Sequence, residues 1–363
     1  MSWIFFEVAG GKEHIYSFHS GGGKADLPSE LRFEPQSGGT YAGPDIPYGT
    51  KPVYEEPADE QHRYGNGFSW LENVHRSTQA QKAQTIFHLD NTHDISPFGN
   101  KVTVALTMLT PFDEMALADG KPTENFKGNP PGIPYILTRR TGQGEDFFSD
   151  FNAVIECFLE NKRPVTSIRL LKKVSGPDFS SAVEVTLKDG RTDLIVRLPE
   201  MTSEAVFEGG LAVTGRFALL RLGSDKKVNT YMCAGTKKIS FNTFNKTFVP
   251  FLKGTVEDFT KTTQPRCSIL IKEKLSLPEN AALPLWIDIH PVASWVDGNY
   301  QVLELRPGQK KGTELITDSG SFVHSPAFDD IKNVKKVSEM YKYEFEPGAE
   351  VLIPLVYEEK IRE

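Results

Sequence analysis

The chain has 363 residues, 39% of them apolar and 25% charged, which allows a sizeable core and argues against disorder. Its formal net charge of −7 argues against broad nucleic-acid binding, which needs a basic face, but leaves room for a local Arg/Lys cleft that takes an acidic glycan. Cys157, Cys233 and Cys267 are widely spaced with no CxxC or Cys/His pattern, so no disulfide framework is expected and free, buried thiols are predicted.

The N-terminal "MSWIFFEVAGGKEH" lacks the basic stretch and the apolar length of a signal peptide or membrane span. Trp3 to Val8 reads as an interior strand without a lead-in, so the expectation is either a cytoplasmic protein or a chain whose Met1 opens inside something longer. In "GGKEHIYSFHSGGG", residues 10–23, side chains alternate between the faces of a strand. His14 and His19 are five apart and fall on opposite faces, so a shared metal is not expected, and each reads as an ordinary strand histidine.

Residues 33–73 form a long Gly/Pro-rich excursion carrying Tyr41, Tyr48, Tyr54, Tyr64 and Trp70. Its aromatic content points to a functional loop rather than simple disorder. "FHLDNTHD", residues 87–94, is the best metal-like stretch, with His88 and Asp90 on one strand face and His93 or Asp94 near the turn. Histidine and aspartate near a strand end more often serve turn hydrogen bonds, so no metal and no cofactor are expected.

Further along, Val102, Val104, Leu106 and Met108 line one face of a strand, and residues 119–134 form a second irregular stretch. Val183, Val185 and Leu187 alternate with polar residues, and Asp189-Gly190 predicts a two-residue turn into "RTDLIVRL". "PEMTSEAVFEGG" between Pro199 and Gly210 reads as a domain boundary. Tyr341, Tyr343 and Phe345 alternate before a Pro347-Gly348 turn. No stretch sustains the helical i, i+3, i+4, i+7 apolar pattern. The prediction is an all-β protein: an antiparallel β-sandwich over 1–200, then a second, smaller β-sandwich over 201–363.

Five stretches together, "GGKEHIYSFHSGGG", "GGTYAGPDIPYG", "GFSWLENVHR", "LTMLTPFDEMALADGKP" and "YILTRRTGQGEDFFSDFNAVIE", resemble in wording, order and spacing the C-terminal β region of heparinase II/III-like polysaccharide lyases. The resemblance is close over roughly residues 1–200 and looser beyond, where "GRFALLRLG" and "PLWIDIH" carry it. It implies β-sandwich domains, the first super-sandwich-like, downstream of an N-terminal α/α toroid and β-elimination of uronate-containing polysaccharides. That family's catalytic Tyr and His/Asn come largely from the toroid, and its HxHxDAG-like and His-Asn-Thr stretches do not occur here, so no catalytic residue and no metal ligand is carried over.

β-Elimination needs a base, an acid and a group that neutralises the carboxylate. The long loop and its flank offer Tyr41, Tyr48, His62, Arg63, Tyr64, His75 and Arg76, an inventory that permits such chemistry without specifying it. Aromatic faces also stack on pyranose rings. The expected glycan-contacting set is therefore Tyr41, Asp45, Tyr48, Tyr64, Trp70, His75, Arg76 and Arg139, with Arg140 beside the last. No Walker A loop and no GxSxG elbow is present. The expected function is the non-catalytic β part of such a lyase, binding a uronate-containing polysaccharide and partnered by a toroid on the same or another chain, with no nucleic acid and no membrane. For a fragment of such a lyase, a periplasmic or secreted setting would follow. Two alternatives remain: a self-sufficient lyase using the Tyr/His groups of residues 33–76, and a free-standing carbohydrate-binding protein.

Overall fold

A computed structural model describes residues 1–50, 67–78, 80, 82–89, 102–121, 130, 132–144, 146–160, 162–283, 285–290, 298–308, 312–326 and 341–361, with backbone alone at 298, 323–326 and 341–342. Among the described residues the regular structure is antiparallel β, with no α-helix. The all-β reading of the sequence therefore holds. Contacts divide the chain into two compact units, Met1–Arg169 and Leu170–Glu363.

Among the described residues the first unit contains ten strands: β1 (Ser2–Ala9), β2 (Glu13–His19), β3 (Gly23–Asp26), β4 (Glu34–Pro35), β5 (Leu71–Arg76), β6 (Ala83–Leu89), β7 (Val102–Met108), β8 (Glu114–Gly120), β9 (Ile133–Thr141) and β10 (Phe148–Leu159). They form two five-stranded sheets, ordered β1-β10-β7-β6-β3 and β2-β9-β8-β5-β4. Alternation assigns their faces. Phe87, Leu106 and Phe151 of the first sheet share one apolar cluster with Tyr16, Met115 and Ile136 of the second. The outward residues of the second sheet feed a separate small cluster of Leu71, Val74, Ala116, Ala118 and Leu137, closed by Tyr41.

The opening histidines follow the same parity. His14 is buried, stacks on Phe147 at 4.3 Å and places Nδ1 2.8 Å from Ser149 Oγ. Its Nε2 donates to the Gly10 carbonyl, so Nδ1 accepts from the serine and both ring nitrogens are satisfied. His19 lies on the other face, against Tyr135 at 4.6 Å.

In the second unit a large sheet runs through Ser181–Leu187, Thr192–Arg197, Leu211–Leu222, Val228–Phe241 and Val356–Lys360. Six further strands, Phe251–Phe259, Ser268–Ile271, Thr313–Thr317, Gly298–Pro307, Leu285–His290 and Glu350–Pro354, close into a barrel. A large apolar cluster, including Leu220, Ile269, Ile287, Phe322 and Val351, lies within this unit. A closed barrel beside a sheet thus stands where a smaller sandwich was expected. The division between units also precedes residue 200. The hairpin of 181–197 pairs onto Leu211–Leu222, and Glu204–Phe207 joins the same sheet, so Pro199–Gly210 lies inside the unit.

Two local expectations need correction. The Asp189-Gly190 hairpin is not a two-residue turn. Gly190 N donates to Leu187 O and Leu187 N to Arg191 O, which centres the turn on Lys188-Asp189 and leaves Gly190, at φ +86°, as the left-handed bulge residue. Cys157 is exposed, because β10 runs past the apolar cluster that its core-facing neighbours Ala153 and Ile155 join. Cys233 and Cys267 are buried and all three are free thiols; burial pushes the Cys233 thiol up to about 12.

Candidate functional site

On β8 the side chains of Glu114, Ala116, Ala118 and Gly120 share the face opposite Met115 and Leu117. A row of small residues ending in one carboxylate leaves space for a covering segment. Residues 36–50 and the turn Gly67–Trp70 occupy it, anchored by backbone bonds from Gln36 to Val74 (2.8 Å), Tyr41 to Leu71 (2.9 Å) and Gly49 to Ser69 (2.8 Å). The bend that starts this cover needs glycine. Gly39 has φ +65°, and a Cβ there would meet the carbonyl oxygens of Gly43 and Pro44 at 2.3 Å.

Register then gathers the charged groups. Ile15 lies opposite Arg139, Arg139 opposite Glu114, and Arg76 opposite Ala116, one step along from Glu114. A cleft of about 490 Å³ opens among Glu13, Gln36, Tyr41, Arg76, Glu114 and Arg139. Glu114 receives Arg76 Nη1 on one oxygen at 2.6 Å and Arg139 Nη2 on the other at 2.9 Å. Arg76 also donates to Gln36 Oε1 (2.8 Å) and to the Tyr41 carbonyl (3.0 Å), and its guanidinium lies 4.6 Å from the centre of the Tyr41 ring. Arg139 Nη1 reaches Glu13 Oε2 at 3.2 Å. Exposure of these side chains rises from 11% at Glu114 to 31% at Arg139 and 45% at Glu13, so Glu114 forms the floor and Glu13 the rim.

Two guanidiniums and two carboxylates balance here, and the ion pairs hold the donors and acceptors in fixed positions. Burial works against the charge on Arg139, but Glu114 and Glu13 outweigh it and hold its pKa up. Burial pushes the Tyr41 phenol up to about 12, with Glu114 adding to the effect and Arg76 and Arg139 opposing it. Tyr41 Oη and Arg139 Nε are buried with no hydrogen-bond partner among the described residues. Tyr41 is thus a neutral phenol at physiological pH, not a poised base. The cleft presents hydrogen-bond donors and acceptors held in place by their own ion pairs.

Of the predicted contact residues, Tyr41, Arg76 and Arg139 meet in this cleft. Tyr48 and Trp70 pair edge to face at 5.2 Å and stay 38% and 49% exposed, with the Lys121 ammonium 4.5 Å from the Tyr48 ring centre. Trp70 directly precedes Leu71, which faces Gly120, six positions along β8 from Glu114. Asp45 is exposed beside the lining residue Pro44. His75 does not line the cleft and bonds to the Asn73 carbonyl at 2.9 Å. Arg140 turns to the opposite face, 3.9 Å from Asp150. Tyr64, His62 and Arg63 lie outside the described residues, as do Asp90, His93 and Asp94; His88 donates to Asp26 at 2.7 Å.

Glu13, Gln36 and Glu114 were missed by reading residue types alone. For Glu114 the signal was present, a single acid at the head of an Ala116, Ala118, Gly120 face. No protein-family model matches the chain, and no curated protein matches it.

Proposed function

We propose that this chain is a non-catalytic β module that binds a uronate-containing polysaccharide, of the kind that follows the toroid in heparinase II/III-like lyases. One observation carries the reading. Glu13, Tyr41, Arg76, Glu114 and Arg139 each come from a different one of the five stretches that resemble that family, and they converge on one cleft. A polyhydroxylated ring suits the alternating donors and acceptors of that cleft, and a uronate carboxylate suits Arg139, whose bond to the half-exposed Glu13 is the longest in the network. The exposed Tyr48–Trp70 pair offers a stacking surface on the same cover that carries Tyr41.

Binding rather than cleavage is supported by the acid/base groups. Tyr41, the tyrosine in the cleft, is held protonated by burial, and His75 lies outside the lining. Positioned acid/base groups contribute roughly 100- to 10,000-fold each, and no such pair faces the cleft among the described residues. Incubation of the purified chain with alginate and heparan sulfate, followed by ultraviolet detection of unsaturated uronate ends, tests this directly. The expected result is no product above background. Turnover that disappears in Tyr48→Phe or His75→Ala would instead make the residue 33–76 segment an active site.

A further inference from the structure

The second unit carries a groove of its own, about 480 Å³, lined by Arg197, Arg216, Trp286, Asp288, Asn299 and Pro354 among others. Of its two aromatic members, Phe217 and Trp286, the second faces away from the barrel interior. Along Leu285–His290 the odd-numbered residues Leu285, Ile287 and Ile289 are fully buried, while Trp286 points outward and is 56% exposed. Asp288 shares that outward face and receives Arg216 Nη1 at 3.1 Å; Asn299 stands opposite Asp288 on the neighbouring strand. Arg197 lines the same groove close enough to Arg216 that burial and the second guanidinium together press its pKa down. The lining thus carries two guanidiniums and one carboxylate, an excess of positive charge on a chain of net charge −7. The first-unit cleft, by contrast, is charge-balanced.

A large exposed indole beside a cationic pair and an amide matches a ligand with a flat apolar face, an anionic substituent and hydroxyl groups. We propose that this groove is a second glycan-binding site that takes one acidic pyranose, its ring against Trp286 and its carboxylate or sulfate at Arg216 and Arg197. The site goes beyond the first-unit cleft and does not rest on it, since every residue named belongs to Leu170–Glu363.

The test removes the first site and reads the second. The full chain carrying Arg139→Gln and Trp70→Ala is titrated with alginate hexasaccharide, heparin hexasaccharide, cellohexaose and a single-stranded DNA oligomer, by calorimetry and tryptophan fluorescence. The acidic hexasaccharides are expected to bind and to quench fluorescence, and cellohexaose to bind at least 10-fold more weakly. Adding Trp286→Ala should weaken acidic-sugar binding at least 10-fold, Trp286→Phe should keep most of it, and Arg216→Gln should erase the preference for acidic over neutral sugar. No binding in this background, unchanged affinity in both Trp286→Ala and Arg216→Gln, or DNA binding as tight as the acidic sugars would each overturn the proposal. The Phe variant keeps an aromatic plate, so the outcome stays readable even where the Ala variant folds poorly.

Discussion

Glu114 is the residue on which two guanidiniums depend, and its loss should cost more than the loss of either arginine. Glu114→Ala leaves Arg76 and Arg139, only 25% and 31% exposed, without their shared carboxylate, and about 2–3 kcal/mol of stability should go with it, toward the low end for breaking a buried pair because both arginines reach solvent. Arg139→Gln should cost about 1 kcal/mol or less, since Arg76 still satisfies Glu114. Urea unfolding midpoints measure both, and equal losses would deny Glu114 its central position. Tyr41 gives a pH signature. Its folded pKa of about 12 lies above the ordinary 10.0, so the folded state binds the proton more tightly and stability is level below pH 10, then falls as pH rises toward 12. Two units correspond to about 2–3 kcal/mol. Tyr41→Phe removes this share and, because Oη has no partner to lose, should leave stability at pH 8 unchanged or slightly raised. Identical alkaline loss in Tyr41→Phe and the parent would show that the phenol is not held as described.

At the scale of elements, the cover over the second sheet hangs on its first bend. Gly39→Ala adds a left-handed strain of about 1 kcal/mol and a Cβ driven against two carbonyl oxygens, so it should loosen the bend before it touches the sheets. Hydrogen exchange at the Tyr41 and Ala42 amides, bonded to Leu71 and Phe68, should speed by more than 10-fold while Ile136 and Leu137 stay protected. Uniform loss across β8 and β9 would mean that the cover is part of the fold rather than laid on it. What the sequence revealed, and what it hid, divides along the same line. Period-2 alternation is local, and it correctly separated His14 from His19 and gave the strand character of Val102–Met108. Strand pairing is not local. Arg76 meets Glu114 only because β5 lies beside β8, 38 residues apart in the chain, and no composition or periodicity encodes that choice. The same limit applies to Gly190: an Asp-Gly pair announces a hairpin, but the loop length that decides between a two-residue turn and a bulge is set by which residues pair across it.

For the whole molecule, the decisive quantity is a net charge of −7 on a chain proposed to bind acidic sugars. Long-range repulsion and local attraction then oppose each other, and both fade beyond a Debye length of about 8 Å at physiological salt. Affinity for alginate hexasaccharide should therefore change by less than about threefold between roughly 0.05 and 0.3 M salt, far from the steep loss of a polybasic surface. A 10-fold fall would mark a diffuse cationic face that the fold does not have in either groove. The lining of one groove falls within Met1–Arg169 and that of the other within Leu170–Glu363, so the two grooves can be mutated separately. The most direct measurement is calorimetric titration of alginate hexasaccharide into the full chain carrying Trp286→Ala, with and without Arg139→Gln. The account predicts binding in the first protein and at least a 10-fold weaker affinity in the second, with unfolding midpoints that match within about 1 kcal/mol. Equal affinity in the two proteins, or no binding in the first, would contradict it.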